Sequence, residues 1–135
     1  MSESCTFCRI VRKEAPASVV YEDDHVIAFM SIQPVNVGHT LVVPKKHYEN
    51  IYEIPEDEHA YLYKIVKKVA AAVREAMSAA GVRIVQNNGA AAGQVIFHFH
   101  VHVIPMNTPA SFPRHPEIRD AQALAHDAAV IKRFI

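Results

Sequence analysis

The sequence predicts an α+β domain in which an antiparallel sheet packs against one long central helix. Three observations point there. Residues 55–80 form a single amphipathic stretch, several short β-branched and aromatic runs flank it, and residues 95–104 include an unbroken alternation of polar and apolar side chains. At 135 residues, half of them hydrophobic, the chain is of a size for one compact domain with a real core.

The chain opens with Cys5-Thr6-Phe7-Cys8, a basic stretch from Arg9 to Lys13 and a turn at Pro16. Ser18–Tyr21 and Val26–Met30 read as two strands, and the polar Glu22-Asp23-Asp24 between them reads as a hairpin turn. Thr40-Leu41-Val42-Val43 is a short apolar run stopped by Pro44, the pattern of a strand buried on both faces. The helix is expected over Pro55–Ala80. Pro55 suits its first position, and Glu56, Asp57 and Glu58 complement the dipole. Leu62, Ile65, Val66, Val69, Val73, Ala76 and Met77 make its apolar stripe, with Gly81 as the stop. A strand at Val82–Gln86, a small-residue loop at 87–93 and a long strand at Val95–Ile104 follow. Pro105, Pro109, Pro113 and Pro116 then block regular structure. A second helix is expected over Glu117–Phe134, with Ile118, Ala121, Leu124, Ala128 and Ile131 on one side. Residues 1–105 thus read as the core domain. Residues 106–135 read as a proline-rich connector and a helix that packs on the same domain or at a dimer interface. Two sheet edges and that helix are open to self-association, so a homodimer is expected.

Composition narrows the function. Fourteen basic residues balance fourteen acidic ones, which argues against nucleic acid or an anionic membrane as a partner gripped by bulk charge. No apolar run approaches the roughly 20 residues that span a bilayer. Met1-Ser2-Glu3-Ser4-Cys5 lacks the basic and apolar regions of a secretory leader, so a cytoplasmic protein is expected.

The unusual figure is nine histidines. In His98-Phe99-His100-Val101-His102-Val103-Ile104 a strand would put the three imidazoles on one face, with Phe97, Phe99, Val101 and Val103 on the other, under the helix. Simple half-burial would place Thr, Lys, Glu or Ser at the polar positions, not one titratable residue three times. Neighbouring histidines on such a face have α-carbons roughly 6.6 Å apart and the outer pair roughly 13 Å apart. Two rings can share one metal ion, but three converging on one would strain the strand, so separate tasks for the three rings are favoured. A neutral imidazole is a good nucleophile near pH 7. The loop carrying Asn87, Gly89, Gly93 and Gln94 offers backbone N–H groups and amides suited to a phosphoryl group in transfer. A two-histidine metallohydrolase built on His98 and His100 is the competing chemistry.

Cys5 and Cys8 are the only cysteines. A redox pair would need a strand before it and a helix N-terminus beneath it, which the chain start does not signal. A disulfide across so short a loop would constrain little of the fold. Two thiolates with two imidazoles would close a tetrahedral zinc site, and two unliganded thiols remain the plain alternative. Spacing does not choose the histidines. His25, His59, His115 and His126 read as solvated surface residues, and Lys45-Lys46 as a solvated pair or a phosphate attractor.

Taken together, these segments resemble the histidine-triad (HIT) family of nucleotide hydrolases and transferases. His98 to Ile104 matches its His-φ-His-φ-His-φ-φ signature. Asn36–His47 is similar to its upstream strand, and Gln86-Asn87-Asn88-Gly89 with Ala92-Gly93-Gln94 to its phosphate-side loop. The likeness covers roughly residues 5–105 and implies a HIT-like fold with a five-stranded antiparallel sheet, usually a homodimer. The implied activity is cleavage at the α-phosphate of a nucleotide phosphoramidate or (di)nucleoside polyphosphate, with no catalytic metal. His100 would be the nucleophile, carrying a nucleotidyl-histidine intermediate, with His102 and His39 flanking it. Ile32 would wall the base pocket, Ser31 would lie beside the ribose, and Asn87, Gly93 and Gln94 would serve the phosphate side of a purine nucleotide. Some family members with an N-terminal Cys-x-x-Cys bind zinc through it, which implies a structural zinc on Cys5, Cys8, His47 and His98. Two positions depart from the pattern. Ser31 stands where Asp or Asn is common, and Val95 stands where one branch has a Ser or Thr hydroxyl near the scissile phosphate. A purine-nucleotide-binding regulatory module without turnover is the alternative reading.

Overall fold

The computed structural model describes residues 4–109 and 117–135. Met1–Glu3, Pro113, His115 and Pro116, read above from sequence, lie outside the described residues. The elements are α1 (Thr6–Val11), β1 (Val19–Glu22), β2 (Val26–Met30), β3 (Thr40–Pro44), α2 (Glu56–Ala76), β4 (Gly81–Val85), β5 (Val101–Met106) and α3 (Ala121–Lys132), with one 3₁₀ turn at Ala90–Ala92. The five strands form one sheet in the order β1-β2-β3-β5-β4, and every neighbouring pair is antiparallel. The expected α+β architecture is therefore present. None of the described helices is long and apolar enough to cross a membrane.

The two sheet faces differ. α2 covers one with the stripe read from sequence, setting Leu62, Ile65, Val66, Val69 and Val73 against Val26, Ala28, Val42, Phe99, Val101 and Val103. Pro55 gives α2 no side-chain cap, so this stripe holds the helix. Each fully buried aliphatic side chain contributes about 1.5–3 kcal/mol, more than a cap supplies. α3 adds Leu124, Ala128 and Ile131 to the same core and packs on α2 and β1. On the opposite face Phe7 and Ile10 of α1 meet Ile27, Phe29, Leu41 and Val43.

Several boundaries differ from expectation for physical reasons. α1 was not signalled, because its N-cap is a thiol rather than one of the usual Ser, Thr, Asp or Asn side chains. α2 ends at Ala76 rather than Ala80. Ser78, at φ +51°, makes the left-handed turn assigned to Gly81, which instead begins β4. β5 starts at Val101 instead of Val95, so Phe97 is not packed under the helix and stands 41% exposed. β5 also runs through Pro105 to Met106. The proline is tolerated because β3 pairs with β5 only as far as Val103, leaving Pro105 a strand neighbour on one side alone, at Val82. α3 starts at Ala121, capped by the Asp120 carboxylate, and leaves Ile118 exposed outside it.

Gly38, at φ +100°, sits where a Cβ would lie 2.6 Å from Met77 Cγ and 3.2 Å from Pro105 Cγ. Its bare α-carbon lets the turn into β3 lie against the end of α2.

Candidate functional site

On the sheet face away from α2 the histidines form two groups, a thiol–imidazole corner and an imidazole relay. The corner brings together Cys5, Cys8, His47 and His98, whose ligand atoms all lie within 4.8 Å of one another. Cys5 Sγ is 3.4 Å and Cys8 Sγ 3.5 Å from His98 Nδ1, Cys8 Sγ is 3.3 Å from His47 Nδ1, and the two Nδ1 atoms are 3.2 Å apart. Tetrahedral zinc with bonds of about 2.0–2.3 Å would put neighbouring ligand atoms about 3.3–3.8 Å apart. The four side chains thus already approximate the edges of such a tetrahedron and are placed to hold a metal ion. His98 Nε2 lies 2.8 Å from the Pro44 carbonyl, which can only accept, so the ring proton is on Nε2 and the Nδ1 lone pair faces the thiols. Both nitrogens of His98 are engaged away from His100, Nδ1 toward the thiols and His47 and Nε2 at the Pro44 carbonyl, an arrangement that disfavours one metal ion shared between the two rings.

The relay begins at a backbone amide. Val35 N–H donates to His39 Nδ1 at 3.0 Å, which leaves the His39 proton on Nε2. His39 Nε2 is 3.0 Å from His102 Nδ1 and donates to it, so His102 keeps its own proton on Nε2. His102 lies on β5 between Leu41 of β3 and Val85 of β4. His100 lies just before β5, in a segment anchored by Phe99 N–H to the Tyr48 carbonyl at 2.7 Å. Its Nδ1 donates to the His98 carbonyl at 2.7 Å, which leaves the Nε2 lone pair without a hydrogen bond among the described residues. The ring centroids of His100 and His102 are 4.9 Å apart, and those of His39 and His102 5.2 Å.

Burial keeps these rings uncharged. It pushes His39 down to about 3, with help from His102 and His100, and His102 down to about 4, with help from His100. Burial also lowers His98 to about 4, against the raising effect of its bond to Pro44 and with help from His47 and His100. His100 is lowered by burial as well, opposed by its bond to the His98 carbonyl.

The remaining expected site residues take different positions. Ser31 N–H donates to the His39 carbonyl at 3.0 Å, which ties the Ser31-Ile32 turn to the relay. Ile32 is 59% exposed. Asn87 has no hydrogen bond from its amide among the described residues. Gly93, at φ +97°, sits where a Cβ would be 3.7 Å from the Asn87 Nδ2. Gln94 is buried and holds the loop together. Its Oε1 accepts from Gly89 N–H at 2.7 Å, and its Nε2 donates to the Glu49 carbonyl at 2.6 Å. Among the described residues no hydrogen bond joins Asn87, Gly93 or Gln94 to the relay. Lys45 and Lys46 form ion pairs with Glu22 and Glu58. His59, expected in solvent, is half-buried against Tyr63 and Phe99. The partners that set the tautomers of His39, His98 and His100 are Val35 N–H, Pro44 C=O and His98 C=O. These are main-chain groups, and no residue type marks them in advance.

An antiparallel five-stranded sheet, with three alternating histidines running into its β5 strand and a fourth donating to His102, defines a histidine-triad architecture. The family model described as HIT domain matches residues 12–108. An uncharacterised HIT-like protein of Methanocaldococcus jannaschii is 52% identical over 101 residues, covering 75% of this chain and 78% of that protein. Adenylylsulfatase HINT3 of Arabidopsis thaliana is 39% identical over 105 residues, 78% of this chain and 53% of that protein. Among solved structures, a HIT-like protein of Bartonella henselae superposes with a TM-score of 0.92 at 36% identity, covering 100% of this chain and 99% of that one. A histidine triad nucleotide-binding protein of Sulfolobus tokodaii gives 0.88 at 39% identity, covering 96% and 90%. A zinc-bound histidine triad family protein of Mycobacterium smegmatis gives 0.85 at 34% identity, covering 96% and 91%. The chain belongs to the HIT family.

Proposed function

We propose that the protein binds purine nucleotides and cleaves them at the α-phosphate, as a hydrolase or transferase acting on nucleotide phosphoramidates or (di)nucleoside polyphosphates. The observation that carries this reading is the proton order of the imidazoles. With Nδ1–H held by the His98 carbonyl, His100 presents a lone pair at Nε2. That nitrogen attacks the α-phosphorus, a P–N bond forms as the bond to the leaving group breaks, and the positive charge left on the ring faces the His98 carbonyl. His102, whose proton is kept on Nε2 by His39, donates to a phosphoryl oxygen. The leaving group takes a proton from solvent. Water then attacks phosphorus, loses a proton and returns the electron pair to His100; another acceptor in place of water makes the reaction a transfer.

In this reading Ile32 walls the base, Ser31 lies beside the sugar and the free Asn87 amide meets the phosphate side. Gly93 leaves room next to that amide, and Gln94 acts one step back by closing the loop on Gly89. Cys5, Cys8, His47 and His98 hold a structural zinc ion, which the tetrahedral spacing supports and which takes no part in the reaction. The protein is a homodimer joined through the open edge of β4, and it works in the cytoplasm, where the thiols stay reduced. The named activity of the Arabidopsis relative, adenylylsulfatase, belongs to this class of reaction.

Rapid quench of the protein with a panel of phosphoramidates and dinucleoside polyphosphates, followed by mass spectrometry, tests the reading. A nucleotidyl adduct on His100 is expected, absent in His100→Ala. Undiminished turnover by that variant overturns the assignment of the nucleophile. Tight nucleotide binding without an adduct would make the protein a regulatory binding module.

A further inference from the structure

We infer that Phe7 is a positioning residue for His100, passing the state of the thiol–imidazole corner to the nucleophilic ring; the inference rests on the role proposed for His100. α1 has only six residues, too few to hold its own shape. Its first turn is closed by a sulfur, since Cys8 N–H donates to Cys5 Sγ at 3.4 Å, and the same sulfur lies 3.4 Å from His98 Nδ1. The helix is therefore fastened where the metal ligands are. Between the two thiols stands Phe7, 4% exposed. Its ring meets three others close to edge-on, His100 at 5.2 Å and 88°, His98 at 5.9 Å and 70°, and Phe29 at 5.3 Å and 74°.

His100 is thus held from two directions by groups that belong to the corner. The His98 carbonyl takes its Nδ1 proton, and Phe7 limits the tilt of the ring about that bond. A single hydrogen bond leaves the imidazole free to swing around it; the aromatic contact fixes the remaining angle and so the aim of Nε2. Ligation of Cys5 and Cys8 seats α1, α1 seats Phe7, and Phe7 seats the nucleophile. Phe29 backs Phe7 from β2, so the phenyl ring transmits displacement to His100 instead of yielding to it.

The test compares the zinc-loaded wild-type chain, the same chain stripped by chelator, and zinc-loaded Phe7→Leu. Three readouts are taken: long-range proton–nitrogen NMR of the His100 ring, its carbethoxylation rate by mass spectrometry, and kcat and KM separately. Loaded wild type is expected to show one tautomer, with the proton on Nδ1. Phe7→Leu, with its zinc retained, is expected to keep the proton on Nδ1 but show broadened His100 ring signals, an altered carbethoxylation rate and a kcat lower by about tenfold, with KM changed by less than about threefold. Stripping zinc should reproduce this in wild type and add little in Phe7→Leu. A Phe7→Leu protein that keeps its metal, the wild-type ring signals and carbethoxylation rate, and a kcat within about twofold of wild type overturns the inference. If Phe7→Leu sheds its metal, Phe7→Met takes its place, and loss of metal there too means that Phe7 serves the corner alone and the inference falls. The NMR and carbethoxylation readouts need no substrate, so they stand even if no nucleotidyl adduct is found.

Discussion

Acid should unfold this protein early, and the relay says by how much. In the unfolded chain a histidine titrates near 6.5. In the fold, burial holds His39 at about 3 and His102 at about 4. Both folded values lie below the unfolded one, so below pH 6.5 the unfolded chain binds more protons and stability falls. The contribution is complete above about pH 6.5 and is lost as the pH drops toward 4 and then 3. At pH 5 each ring is mostly protonated when unfolded and mostly neutral when folded, a difference of about 2 kcal/mol per ring. The pair therefore costs on the order of 4 kcal/mol between pH 8 and pH 5, a large share of the 5–15 kcal/mol typical of a domain. Urea unfolding followed by far-UV circular dichroism at pH 8, 6.5, 5.5 and 5 reads the loss directly. His39→Gln/His102→Gln will be less stable at pH 8, because Val35 N–H loses its acceptor, but its pH dependence will be flatter by that same 4 kcal/mol, about two protons' worth. Parallel pH curves for wild type and the double variant would refute the claim that these two rings are held neutral by burial.

Three further outcomes follow from other parts of the fold. Gly38→Ala should destabilise the protein by about 3 kcal/mol and lower Tm by roughly 10 °C in calorimetry, since its Cβ would meet Met77 at a backbone angle that alanine disfavours. Asp127→Ala removes the bidentate partner of Arg119, at 2.7 and 3.2 Å, from a nearly buried site. With the arginine end partly exposed the loss should be about 2 kcal/mol, and the Arg119 amide that donates to the Ile32 carbonyl at 2.8 Å should exchange at least about tenfold faster by NMR. Cys8→Ala should abolish stoichiometric zinc in metal analysis of the purified chain and lower Tm, whereas Cys5→Ala should in addition fray α1, because only Cys5 supplies the cap.

How much of this was legible in the residues depended on whether a side chain or a main-chain group did the work. The stripe of α2 and the hairpin around Asp23 could be read because apolar spacing and turn residues mark them. The row His98, His100 and His102 could be read because alternation survives even where the ladder does not. The start of β5 could not. Phe99 hydrogen-bonds to Tyr48, and the His98 carbonyl is occupied by His100, so the chain bends at residues 96–98 and joins the ladder only from Val101. α1 escaped notice because sulfur is rarely a cap. The Arg119–Asp127 pair was hidden because an aspartate amid alanines on a helix reads as solvent-facing until a distant arginine is seen to reach it. Gln94 carries both kinds of information. Its place in the motif can be read from the residues, while the bonds of its amide to the Gly89 N–H and to the Glu49 and Ile96 carbonyls involve main-chain groups that no residue type announces.

His98 offers a metal its Nδ1, gives its Nε2 proton to Pro44 and lends its carbonyl to His100. Side-chain replacement at this position removes the first two bonds and disturbs the third, so a mutational scan will merge a folding defect and a chemical one into a single phenotype. Replacing the His98 carbonyl oxygen by sulfur, which weakens the acceptor while leaving the imidazole and the Phe99 N–H to Tyr48 whole, would separate them.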